Sequence, residues 1–166
     1  MLSTLPLGMK IKYAWAMPSK RTFTIKPIKK LLKKYCGPVP GYSAAVDPFQ
    51  FPFREDALTY LKTFKNEDIE LLLLDPPYSQ NQLSVTYANQ GIPPFDQYLT
   101  KVKNEACRIM APDGVCISFG WSSNGLGKKR GFRKIELLVV AHGGQHYDTL
   151  VIVEKKNSSL KQFLTS

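Results

Sequence analysis

The chain predicts an α/β domain built on a mostly parallel sheet with an antiparallel hairpin at its C-terminal end. Three observations carry that expectation. Stretches of strand character alternate with stretches of helical periodicity, the pattern of β-α-β units. The run Leu71-Leu72-Leu73-Leu74 is continuously apolar rather than alternating, as in a parallel strand buried on both faces. Near the end, IELLVVAH and TLVIVEKK are joined through HGGQHY, a connection short enough for a hairpin.

Each element follows from its own residues. Residues 1–21 carry Lys10, Lys12, Lys20 and Arg21 and no acid, and they read as a basic arm ahead of a domain at 22–156. In KPIKKLLKKYC, Ile28, Leu31, Leu32 and Tyr35 fall at i, i+3, i+4 and i+7, one helical stripe with lysines opposite. Pro27 suits the first turn of that helix and Gly37 its exit. Ser43 to Val46 reads as a short strand ending on Asp47, and EDALTYLKTF as a helix. IELLLLD is the buried parallel strand. Tyr98 to Met110 predicts a second long helix with Tyr98, Val102, Ala106 and Ile109 inward. APDG is a turn, VCISFGW a strand, and the hairpin follows; residues 157–166 form a polar tail.

Composition narrows the function classes. At 166 residues, with 43% hydrophobic and 22% charged residues, the chain is long enough for one domain with a real core. No apolar run approaches the ~20 residues that cross a bilayer. The start, MLSTLPLGMKIKYAWAM, lacks the apolar length and cleavage site of a signal peptide, so a cytoplasmic protein is expected. Cys36, Cys107 and Cys116 are scattered and read as buried thiols in a reducing compartment. His142 and His146 in HGGQH read as a hairpin turn with two polar rings rather than as metal ligands, since no Cys or acid cluster joins them.

The formal charge of +10 is unevenly placed. Nine lysines and arginines precede the first acid, Asp47, and Lys128, Lys129, Arg130, Arg133 and Lys134 cluster in GKKRGFRK. Both clusters suit a polyanion, because neutralising phosphates releases condensed counterions. A solvated basic face that aids solubility explains the same residues equally well.

The stretch Asp75-Pro76-Pro77-Tyr78 concentrates the chemistry. In a parallel α/β sheet ligands bind at the carboxyl ends of strands, and Asp47, Asp75 and Trp121 all fall there, on one edge. Pro76 has no N–H and cannot continue a ladder, so the chain leaves the strand at Asp75. The two prolines hold a carboxylate and a carbonyl in fixed directions, an arrangement that accepts both hydrogens of an exocyclic amine. Tyr78 then offers a ring on which a flat base can stack. An adenine amine is a poor nucleophile, and two acceptors on its hydrogens favour attack on an electrophilic methyl group. Reaching that amine in a duplex requires flipping the base.

On these residues the chain resembles the adenine-specific DNA N6-methyltransferases that use S-adenosyl-L-methionine, of the small kind found in phages and mobile elements. Asp75-Pro76-Pro77-Tyr78 matches the family's DPPY motif. Thr22-Phe23-Thr24-Ile25-Lys26-Pro27-Ile28 is similar to the segment that covers the cofactor. Val46-Asp47-Pro48-Phe49 resembles the start of the first cofactor motif, and Glu55-Asp56-Ala57-Leu58 the segment whose acid contacts the cofactor's adenine. The resemblance runs from about Thr22 to Lys156.

It implies a Rossmann-like class I methyltransferase sheet and a catalytic role for Asp75, Pro76, Pro77 and Tyr78. Cofactor contacts are implied for Phe23, Thr24, Ile25, Asp47, Pro48, Phe49, Asp56 and Ala57. No metal is implied. DNA is the implied partner ahead of RNA, in a prokaryotic or phage-infected cell, and a homodimer or a partner subunit is compatible with it. Ser79, Tyr87, Lys128, Lys129 and Arg130 are the candidate nucleic-acid contacts. Trp121-Ser122-Ser123-Asn124-Gly125 either borders the target-base pocket or closes the core.

Two departures from the family pattern set further expectations. QFPFRED follows VDPF where a glycine-rich turn is usual, and Pro48 to Arg54 is shorter than the ~10–12 residues of a crossover. Either residues are missing between about Phe49 and Arg54 and near Ile92, or the domain is reduced. The reduced domain makes a catalytically silent nucleic-acid-binding subunit the rival to an enzyme. There is also no large target-recognition domain, which leaves sequence preference open.

Overall fold

Residues 8–37, 45–49, 56–86 and 94–158 are described by the computed structural model. Among them, five strands form one mixed sheet: β1 (Lys10–Trp15), β2 (Ile69–Leu74), β3 (Met110–Gly120), β4 (Phe132–Ala141) and β5 (Thr149–Lys156). Their spatial order is β1-β4-β5-β3-β2. β1 runs parallel to β4 and β2 parallel to β3, while β5 is antiparallel to both of its neighbours. Four strands therefore point one way and β5, wedged between β3 and β4, points the other. The C-terminal hairpin is the expected one. Beyond β2 the direction continues in a single parallel bridge, Val46 to Leu72. Of the expected Ser43–Val46 strand, Ser43 and Ala44 lie outside the described residues.

Four helices among the described residues cover the two faces: α1 (Lys26–Cys36), α2 (Ala57–Lys62), α3 (Gln80–Thr86) and α4 (Phe95–Ile109). In α1 the stripe Ile28, Leu31 and Leu32 is buried as its spacing predicts, and Cys36 extends it by one turn. That stripe packs on Leu73, Ile117, Leu138, Val140, Val151 and Val153. On the opposite face Leu72 and Leu74 meet Leu61 of α2 and Tyr98, Val102, Ala106 and Ile109 of α4. Successive leucines of β2 thus enter opposite cores, and this explains the unbroken apolar run.

Three expectations need correction. Residues 10–15 are not part of an arm outside the domain, because they form the edge strand β1. What ties that strand in is Glu136 on β4, almost wholly buried, with Lys12 of β1 at 2.7 Å and Lys34 and Tyr35 of α1 on its other oxygen. APDG is not a turn between elements. It lies within β3 as an irregularity, since Ile69 pairs with Met110 but Leu71 with Val115, and Asp113 takes a left-handed φ of 63° there. The helix expected at Tyr98 begins at Phe95, capped by Pro94.

Candidate active site

β1, β2, β3 and β4 all end on one edge of the sheet, and the segments that leave them converge there. β2 delivers Asp75; β3 delivers Trp121; β4 leads into the 142–148 turn; β1 leads through Ser19 and Lys20 to a 3-10 turn at Thr22–Thr24. At Asp75 the ladder stops because Pro76 and Pro77 bring no donors.

The Tyr78 hydroxyl folds back and donates to Asp75 Oδ1 at 2.5 Å, while the Tyr78 amide donates to Gln82 Oε1 at 2.6 Å. The Thr22 side chain lies beside the same carboxylate–phenol pair. Burial pushes the Asp75 carboxyl above its ordinary value, and the Tyr78 and Thr22 hydroxyls work against that shift. Burial also raises the Tyr78 phenol, and the neighbouring Asp75 adds to it.

Asp47 sits on the adjacent strand end, where its Oδ1 accepts from the Phe49 amide at 3.0 Å. Burial pushes its carboxyl up to about 7, opposed by that amide and reinforced by the charge of Asp75. Two carboxyls at neighbouring strand ends are thus held above their ordinary range, mainly by burial, and shifts of this kind cluster at reaction centres.

An open cavity of about 560 Å³ lies over this turn, lined by Lys20, Thr22, Phe49, Asp75, Pro76 and Tyr78 among others. A second, of about 420 Å³, lies on the α4 side and is lined by Pro77, Lys103, Ser118 and Trp121 among others. Both fall within the size range of small-molecule sites. Burial lowers the Lys103 ammonium, and nearby Arg130 acts in the same direction.

The predicted site residues divide into groups. Asp75, Pro76, Pro77, Tyr78 and Phe49 come together around one cavity, with Asp47 beside them. The Phe23 ring packs on Phe119 at 5.0 Å, Ile25 is buried in the α1 core, and Thr24 donates from its hydroxyl to the Arg21 carbonyl. Pro48 is buried. Asp56 is the N-cap of α2, accepting from the Leu58 and Thr59 amides at 2.9 and 3.2 Å, and Ala57 is fully buried behind it. Neither Asp56 nor Ala57 lines either of these two cavities. Ser79 starts α3, with its carbonyl accepting from Leu83. Tyr87 and the segments 50–55 and 87–93, including Arg54 and Ile92, lie outside the described residues.

Lys128, Lys129 and Arg130 form a short 3-10 turn just before β4 starts, so they stand at the opposite end of the strands from Asp75, roughly 15–20 Å along the sheet. Arg130 is spent on Asn104 and the Leu126 carbonyl. His142 is buried and partnered by the Ala16 carbonyl at 2.7 Å and the Thr149 hydroxyl at 2.8 Å, so both its nitrogens serve the fold.

Several participants are not among the residues that the sequence singles out. Thr22 stands one residue before the predicted Phe23–Ile25 contacts. Lys20 enters there only as charge, and Gln82 and Tyr147 not at all. Tyr147 has a usable signal: β4 runs parallel to β2, so the turn after it must return to the edge that holds Asp75.

No protein-family model matches the chain, and no curated protein matches it. Among the described residues no helix is long and apolar enough to cross a membrane.

Proposed function

We propose that the chain is a methyltransferase that uses S-adenosyl-L-methionine to methylate the N6 amine of adenine in nucleic acid, DNA ahead of RNA. The observation that carries this reading is the half-buried Asp75 carboxylate at a parallel strand end, followed by two prolines and bonded by the Tyr78 hydroxyl. Sheet topology supports it. One reversed strand, β5, lies between parallel neighbours, and the strand order from the Val46 bridge through β2, β3, β5 and β4 is that expected of a Rossmann-like class I methyltransferase sheet.

In this reading Asp75 and the Pro76 carbonyl accept the two N6 hydrogens. Fixed acceptors of this kind stabilise charge that develops on the amine as its lone pair becomes available. The Tyr78 hydroxyl must leave Asp75 Oδ1, or share it, and its ring then stacks on the extruded base. The cofactor, when bound, supplies an electrophilic methyl group on a cationic sulfonium. The residues fit such a group: Phe49 offers an apolar wall, and Asp47 offers a carboxyl group at the same edge.

One observation favours the rival reading, a silent nucleic-acid-binding subunit. Asp56, expected at the cofactor's adenine, is engaged in capping α2. The deciding experiment incubates the intact chain with methyl-labelled S-adenosyl-L-methionine and adenine-containing DNA or RNA oligonucleotides, and locates the label on the base. Label on N6 establishes the enzyme and ranks the substrates. Nucleic-acid binding without label on either polymer establishes the silent subunit instead.

A further inference from the structure

Three aromatic rings form a continuous row that starts at the Asp75 turn and runs outward. Tyr78 contacts Trp121 with ring centroids 5.2 Å apart, and Trp121 contacts Tyr147 at 4.8 Å. Exposure rises along the row, to 44% at Trp121 and 71% at Tyr147. Exposed apolar side chains scattered singly are ordinary, but a contiguous exposed patch such as this row marks a binding surface.

The row is held in place rather than loosely draped. The loop after Trp121 is pinned by buried Glu154, which accepts from the Leu126 and Gly127 amides at 2.6 and 3.0 Å. Gly125 is required there, because it takes φ +43° and a Cβ would collide with the Glu154 carboxylate. On the other side His142 locks the base of the 142–148 turn that carries Tyr147.

The rings line a groove of about 480 Å³ together with Lys20, Gln145 and His146. Its lining carries the Lys20 cation and the His146 imidazole and, among the described residues, no acid; exposed Arg21 follows Lys20. The rings already touch one another, so no base fits between them, and a base can stack only on their open faces.

We infer that this aromatic groove is a binding platform for unpaired nucleic acid, holding nucleotides next to the target so that the chain acts on a single strand in preference to a duplex. The inference rests on the proposed methyltransferase reading for what happens at Asp75, but the platform itself needs only rings and phosphate-directed charge. Such platforms bind every base, because each has a π-face, and they weaken steeply with salt. A duplex keeps its base faces stacked inside and offers the exposed rings nothing to stack on.

The test uses an oligonucleotide of thymine alone, which can occupy the platform but cannot be methylated at adenine N6. Binding to the intact chain is read by tryptophan fluorescence in a Trp15→Phe background, so that Trp121 reports. The expected result is quenching by the single strand, with markedly weaker binding of the same length of duplex. Trp121→Ala and Tyr147→Ala should each weaken binding about five-fold or more, read by anisotropy of a labelled strand. Tyr147→Phe keeps the ring and should bind as the parent does, which separates lost stacking from lost folding. Equal affinity for duplex, or alanine variants within about two-fold of the parent, overturns the platform. Thymine binding with no label transferred to any adenine polymer leaves the platform standing and removes the methyltransferase reading; labelling of duplex adenine without thymine binding does the reverse.

Discussion

Glu136→Gln should destabilise the fold at neutral pH and do so progressively less as the solution is acidified. Glu136 is 1% exposed and holds together β1, β4 and α1 through Lys12, Lys34 and Tyr35. Burial alone would raise its carboxyl, but the two ammoniums and the phenol outweigh it and lower the pKa from 4.5 to about 2. That drop of about 2.5, at ~1.36 kcal/mol for each tenfold change in acidity, sets a ceiling of ~3 kcal/mol. The lysines are 54% and 44% exposed, so water screens part of the attraction, and ~1–3 kcal/mol is expected at pH 7. The amide introduced by the substitution still accepts from Tyr35, so the loss is one of charge rather than shape.

The sign follows from the depressed pKa. The contribution is complete above the unfolded value near 4.5, falls to less than half by about pH 3, and vanishes as the pH drops through about 2. Thermal unfolding of both proteins at pH 7, 5 and 3 reads this directly, at about 2–4 °C per kcal/mol for a chain of this size. Equal Tm at pH 7, or a difference that persists unchanged at pH 3, would refute the account of how β1 is attached.

Other consequences can be measured on the same preparations. If the proposed methyltransferase reading holds, Asp75→Ala should lower methyl transfer by roughly 10²–10³-fold while cofactor binding by calorimetry stays near the parent's; activity within a few-fold would reduce Asp75 to a strand end. Tyr78→Ala should cost ~1–3 kcal/mol in substrate binding through lost stacking, whereas Tyr78→Phe keeps most of it, and equal losses would point to the hydroxyl instead. Asp47 has a folded pKa of about 7 against 3.8 unfolded, so its contribution is present below 3.8 and lost as pH rises through 7; Asp47→Asn should therefore raise Tm at pH 8 and leave it nearly unchanged at pH 4. Charge reversal at Lys20 and Arg21 should flatten the salt dependence of nucleic-acid binding more than reversal at Lys128 and Lys129; the opposite ranking would place the polymer at the far end of the sheet.

Much of this architecture is legible in the residues because it rests on local periodicity. The stripes of α1 and α4 and the unbroken leucines of β2 each specify how many faces are buried. Asp75 is legible because two prolines after an apolar run can only mean a strand end. What escapes is long-range. Nothing in KIKYAW says that it pairs with residues about 125 positions later, since its lysines look like a charged arm until Glu136 supplies a buried partner. Thr22 and Tyr147 escape for the same reason, because their roles come from where parallel strands end. Asp56 is ambiguous in the other direction: an acid before Ala57-Leu58 can be a helix cap as well as a ligand contact, and the structure shows the cap.

The position of β5 bears on how the molecule is made. Without it, β1 and β4 share no strand pairing with β2 and β3, so the sheet exists as two separate pieces. One piece carries Asp75 and Tyr78; Thr22 and Lys20 belong with the other. Among the described strands the joining one comes last in the chain, so backbone pairing cannot unite the two groups of site residues until Thr149–Lys156 has been translated. A nascent chain cut short before β5 would therefore carry the motif without the sheet that assembles its surroundings.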